Sequence, residues 1–319
     1  MSTLAPWQQR AYARMADAFA AGRLGHAQLI CGPARLGKRE VAVRMARRVL
    51  CEAASGDVAC GACRSCRLFD AGTHPDYRFV SFIPNREGTK LRTEIVIDQM
   101  RELAAQLALT PQFGRAQVAV VDPADAINHA AANALLKTLE EPVPGRYLWL
   151  VSAHPMRLPA TIRSRCQRIE LRLPPADEAA AWLSAQGHAM ADAAEALQAA
   201  RGHPGLADDW LRAGGLSLRK AVAADLQRLW KGEAAPAEIA QQWAADEHAD
   251  LRLRHAADLA VERAAGLTDP RHARSLAAWF DRANRSRDLL RTTVRADLVL
   301  VELLVAWRAL RGGPEKRER

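Results

Sequence analysis

The stretch AQLICGPARLGKR, residues 27–39, constrains this chain more than any other feature. An apolar run enters a loop with Gly32 and Gly37 five positions apart. Lys38 follows, and EVAVRMARRVL continues at helical spacing. Strand, glycine-bearing loop and helix in that order is the P-loop arrangement G-x-x-x-x-G-K. The glycines let backbone N–H groups wrap a phosphate, the helix N-terminus favours its charge, and Lys38 reaches the terminal phosphates. Further strand candidates follow at 77–82 (YRFVSF), 117–121 (QVAVV), 147–152 (YLWLVS) and 167–171 (QRIEL), with amphipathic segments such as IVIDQMRELAAQLAL between them. Strands alternating with helices predict a parallel sheet covered on both faces.

Two positions break the catalytic pattern. The residue after the P-loop lysine normally carries a hydroxyl that ligates Mg²⁺. Here it is Arg39, a permanent cation with no acceptor atom. The strand QVAVV ends at Asp122, and Pro123 stands where a water-activating glutamate belongs in an ATPase of this class. Hydrolysis of ATP by this chain is not expected. Gly32, Gly37 and Lys38 remain either a loop that still binds nucleotide or a relic turn.

Four of the six cysteines fall together as Cys51, Cys60, Cys63 and Cys66, a C-x8-C-x2-C-x2-C spacing. In a reducing compartment such clustering argues for metal rather than disulfides. Two C-x2-C steps suit tetrahedral thiolate ligation of Zn²⁺, and a shell closed by four thiolates is structural. Cys31 and Cys166 stand apart from it.

After residue 173 strand signals stop, and Pro174 and Pro175 mark a boundary. Short helices broken at Gly187 and at GHPG (202–205) run to about residue 212. A Gly-Gly pair at 214 and 215 then opens a longer helical section. The expected division is 1–173, 174–212 and 213–312, with 313–319 a charged, disordered tail. In the last section, Leu298, Val301, Leu304 and Val305 recur at helical spacing on one long pattern. The formal charge of +9 suits a polyanionic partner, although arginine is spread along the whole chain. No apolar run is long enough to cross a bilayer and no signal-peptide core precedes the first helix, so the expectation is a cytoplasmic protein without a membrane partner.

Four motifs appear in order: LGHAQLICGPARLGKRE (24–40), the cysteine cluster, VVDPADAINHAAANALLKTLEEP (120–142) and LPATIRSRC (158–166). Together they resemble the clamp-loader branch of the AAA+ proteins, the subunits that serve bacterial DNA polymerase III. The resemblance implies an α/β fold: a RecA-like AAA+ domain, a small helical lid and an all-helical C-terminal collar domain. It also implies partners: gamma/tau and delta subunits in a hetero-pentamer, the sliding clamp and primed DNA. Arg39 and Pro123 match the family's degraded-site subunit rather than its motor subunit.

By the same resemblance, Ser164, Arg165 and Cys166 form the Ser-Arg-Cys motif, whose arginine completes a neighbour's ATP site. The alternative is an arginine paired with a local carboxylate. Ser152 falls in the sensor 1 segment, and GHPG supplies no sensor 2 arginine. In NALLKTLEEP, Leu135, Leu136 and Leu139 are expected in the core, with Lys137, Glu140 and Glu141 exposed. Two other readings compete: a motor-type ATPase, and a zinc-containing DNA-binding module on an inactive scaffold.

Overall fold

A computed structural model of the chain describes residues 3–85, 87–113, 116–290, 292 and 294–311. They form two compact units, one of the described residues up to 186 with 202–205, the other of 187–201 with those from 206 onward.

The first unit is built on five parallel strands: β1 (Ala27–Cys31), β2 (Tyr77–Val80), β3 (Gln117–Val121), β4 (Arg146–Ser152) and β5 (Gln167–Glu170). They are ordered β2-β3-β4-β1-β5, which sets β4 between the P-loop strand and the strand that ends before Asp122. Its helices are α1 (Pro6–Ala20), α2 (Lys38–Leu50), α3 (Arg64–Asp70), α4 (Ile97–Leu107), α5 (His129–Glu140), the short α6 (Ala160–Arg163) and α7 (Ala176–Ala185).

Side chains alternate across the strands, so β1, β3 and β4 each feed two cores. Ile30, Val118, Val120 and Trp149 pack with Met15 of α1 and Met45 of α2. Leu29, Val121, Leu148 and Leu150 pack with Leu103 of α4 and Leu135 of α5. β1 and β3 are buried at every residue, which explains why their sequences run apolar instead of alternating. The first unit is the α/β sheet with both faces covered that the AAA+ resemblance implies.

Among its described residues the second unit contains only helices: α8 (Met190–Ala199), α9 (Pro204–Arg212, whose first two residues count with the first unit), α10 (Gly215–Lys231), α11 (Pro236–Ala244), α12 (Ala249–Ala265), α13 (Pro270–Leu289) and α14 (Ala296–Ala309). Its core holds Leu229, Trp243, Leu253, Leu276, Trp279, Leu303 and Trp307. The indole N–H groups of Trp279 and Trp307 donate to the carbonyls of Leu303 and Leu226 at 3.0 and 2.9 Å, so burying them leaves no donor unpaired.

Three sequence expectations shift. The strand drawn at 77–82 stops at Val80. The long C-terminal pattern divides between α13 and α14. The face of α14 that enters the core is Val299, Leu300, Leu303, Leu304 and Trp307, while Leu298 and Val305 are 58% and 45% exposed. That helix is apolar on most of its circumference, so periodicity could not say which stripe faces inward. The tail at 313–319 lies outside the described residues.

Candidate functional site

The phosphate loop is present in the first unit and is closely packed by its own chain. Gly32 has φ 140° and Gly37 has φ 76°, conformations that favour glycine. A Cβ on Gly32 would lie 2.1 Å from the carbonyl oxygen of Leu171, and one on Gly37 would lie 1.9 Å from the side-chain amide of Gln8. The Leu36 carbonyl accepts from Trp7 Nε1 and Gln8 Nε2, both at 3.1 Å. Lys38 is buried, and its Nζ donates to the Pro33 carbonyl at 2.6 Å. Burial lowers its pKa, against the pull of the nearby Asp122 and Asp125 carboxylates.

The two positions expected to hold a metal are bonded to each other. Nε of Arg39 donates to Oδ2 of Asp122, so the side chain at the position where a metal-binding hydroxyl was expected is ion-paired to the carboxylate expected to hold the metal. The guanidinium also lies 5.1 Å from the centroid of the Phe79 ring. At the end of β4, buried Ser152 donates from Oγ to Asp125 Oδ1 at 2.7 Å, and Ala153 N donates to the same oxygen at 3.0 Å. The segment expected to hold sensor 1 is thereby bonded within its own chain. A Cβ on Gly205 would come within 2.0 Å of the Arg35 carbonyl, so the GHPG segment approaches the loop backbone to backbone.

Arg165 is not part of this constellation. β5 runs parallel to β1 with Gln167 opposite Gln28, so Arg165 precedes the N-terminal end of the sheet. The P-loop leaves its C-terminal end, roughly 13 Å further along at about 3.3 Å per residue. Arg165 Nη2 pairs with Glu140 Oε1 at 2.7 Å and its Nη1 donates to the Thr161 carbonyl at 2.8 Å. The local carboxylate that competed with the finger reading therefore exists. Glu140 was expected to be exposed but not to hold Arg165; its place at the end of NALLKTLEEP gave no sign of the partner.

The four cysteine Sγ atoms all lie within 4.8 Å of one another, with Cys51 and Cys63 3.9 Å apart. A Zn–S bond of about 2.3 Å requires tetrahedral edges of roughly 3.8 Å, which fits this donor set. Backbone amides of Cys60, Cys63 and Cys66 donate to Sγ of Cys51, Cys60 and Cys63 at 3.3, 3.3 and 3.4 Å. The Ala62 and Cys63 amides bring the Cys60 thiol down to about 6, while burial pushes Cys66 up to about 12.

Behind the cysteines lies a buried network that sequence reasoning missed. Ser65 Oγ is 2.6 Å from the Leu50 carbonyl and 2.8 Å from His74 Nε2. The Asp76 amide donates to His74 Nδ1, and its carboxylate accepts from the Gln112 and Phe113 amides at 2.8 and 2.9 Å. With Ser65 only 1% exposed, no substrate reaches the hydroxyl; this is scaffolding for α3.

A sequence model of the family described as DNA polymerase III, delta subunit, matches residues 7–175. The chain is 37% identical over 245 residues to DNA polymerase III subunit delta' of Pseudomonas aeruginosa, covering 76% of this chain and 72% of that protein. It is 37% identical over 212 residues to subunit delta' of Escherichia coli K12, covering 64% of this chain and 62% of that protein. Similarity to DNA polymerase III subunit tau of Escherichia coli K12 is 32% over 165 residues, 52% of this chain and 24% of that protein.

Proposed function

The chain belongs to the DNA polymerase III subunit delta' family, and on that premise we propose that it serves the clamp loader without turning over ATP itself. In this reading it assembles with gamma/tau and delta subunits in a hetero-pentamer that loads the sliding clamp onto primed DNA in the cytoplasm. The Gly32, Gly37 and Lys38 loop is a phosphate cradle that has lost turnover. Residues 1–173, 174–212 and 213–312 act as sheet domain, lid and collar, and the exposed Leu298 and Val305 of α14 are available to neighbouring collar helices. Cys51, Cys60, Cys63 and Cys66 hold a structural Zn²⁺, whose role is to order the segment between α2 and α3.

The observation that carries the reading is the separation of two arginines. Arg39 is bonded to Asp122 inside the chain's own site, which supports loss of metal binding there. Arg165 lies at the opposite end of the sheet, beyond reach of its own P-loop, so any ATP phosphate it meets belongs to another subunit. A guanidinium offered across an interface stabilises charge on the phosphoryl group in transfer, an effect worth roughly 10³-fold or more. Its surface pair with Glu140 is weak enough to be exchanged for a phosphate, since exposed ion pairs contribute about 0–1 kcal/mol.

The test is a complex reconstituted with gamma/tau and delta. Arg165→Ala should leave assembly intact and lower clamp- and DNA-stimulated ATPase by several-fold, the loss being partial because other motor sites draw on other arginines. Arg165→Lys should recover little, because an ammonium lacks the planar fork. Unchanged rates in a complex whose assembly is verified by gel filtration would make Arg165 a structural partner of Glu140.

A further inference from the structure

Helix α13 carries charge that its own unit does not neutralise. Arg271, Arg274, Arg282 and Arg285 are all exposed. At 100° per residue they lie within a sector of roughly 80°, and over about 21 Å of helix they form one stripe. Among the described residues, none of the four makes an ion pair; Arg274 only donates from Nε to the Pro270 carbonyl at 3.2 Å. Elsewhere exposed arginines are commonly paired, as Arg10 is with Glu178, Arg212 with Asp208 and Arg295 with Asp297. The helix's own acids, Asp281 and Asp288, flank the stripe without bonding to it.

This arrangement opposes helix stability. Arg271 with Arg274, and Arg282 with Arg285, are like charges at i,i+3, which repel. Arg271 and Arg274 also stand near the helix N-terminus, where the dipole disfavours cations. Asp281 and Asp288 stand at attractive spacings from Arg285, but Arg271, Arg274 and Arg282 have no acid three or four positions away. Between the arginines the same sector holds only Ala278, with Leu289 at its far end. A protein partner would need an apolar centre to anchor on, whereas a phosphate backbone needs forked cations and little else.

We infer that α13 is a docking surface for the phosphate backbone of DNA, read without regard to base sequence. The inference is separate from the trans role of Arg165 and places a DNA contact in the helical unit. One strand of duplex DNA offers a charge about every 3.4 Å of axis, so roughly 21 Å of stripe faces about six phosphates per strand.

The experiment titrates the full chain against a fluorescent 20-base-pair duplex, and against one of its strands, between 50 and 200 mM salt. Arg271→Glu/Arg274→Glu/Arg282→Glu/Arg285→Glu should lower affinity tenfold or more at 100 mM salt. The log–log salt slope should flatten by about two to four, near 0.9 for each duplex phosphate that is no longer neutralised. Arg282→Ala/Arg285→Ala, which cannot be blamed on charge reversal or misfolding when its circular dichroism matches the parent, should show about half that change in slope. Reversing Arg14 and Arg23, exposed arginines of the first unit, should shift affinity by less than about twofold. Failure of the parent chain to bind DNA at 50 mM salt, or equal binding by the quadruple variant, would overturn the inference. Polyglutamate competing as well as DNA would reassign the stripe to an acidic protein segment.

Discussion

At the scale of the residue, Arg39 decides the most. The spacing after Lys38 was enough to show that a metal ligand was missing, because a guanidinium has no lone pair to give. What the spacing could not show is where that guanidinium goes: its partner, Asp122, lies 83 residues away and meets it only because β3 and the P-loop strand end on the same side of one sheet. Glu140 and Arg165 were hidden by the same kind of distance. The geometry predicts that Arg39→Thr in the isolated chain frees Asp122 but gives no magnesium-dependent phosphate release, since Pro123 still cannot orient water. Arg39→Thr/Pro123→Glu is the smallest change that could do so. Turnover by the single variant would mean that another residue activates water.

Elements were legible in proportion to how much their own sequence settles. β1 and β3 are short apolar runs bounded by turn signals, and they appear where the sequence places them. The cysteine cluster was readable because two C-x2-C steps bring thiols together locally. Its supports were not: Ser65 and His74 meet through a buried hydrogen bond at 2.8 Å that no pattern encodes. Cys63→Ser should therefore release the metal, seen as zinc falling from about one equivalent per chain to near zero in elemental analysis. Ser65→Ala should keep the metal but lower the stability of the first unit by roughly 1–3 kcal/mol, because His74 and the Leu50 carbonyl lose a partner they share. Protein purified without chelator that contains no zinc would rule out a resident metal, leaving the hydrogen-bonded network intact.

At the scale of the whole chain, the two units have separate cores, so a single unfolding transition is not expected of them. Each core has its own sensitivity. The first carries the proposed zinc site, and chelation at neutral pH should lower its transition. The second contains His255, fully buried and stacked edge-on against Trp210 with centroids 4.6 Å apart. Burial, reinforced by the cations of Arg219 and Arg254, brings His255 down to about 4. Its unfolded value is near 6.5, so between these values the unfolded chain binds a proton that the folded unit refuses. Stability must then rise with pH across that window and fall as pH drops from 6.5 towards 4, by roughly 3 kcal/mol at most. Calorimetry at pH 7 and pH 5 should show the transition of the second unit falling in acid with or without chelator. His255→Phe keeps a ring against Trp210 and removes the titrating group, so its transition should be flatter over the same range by up to one proton's worth of slope. If the variant and the parent lose stability in parallel, His255 is not what makes the helical unit acid-sensitive.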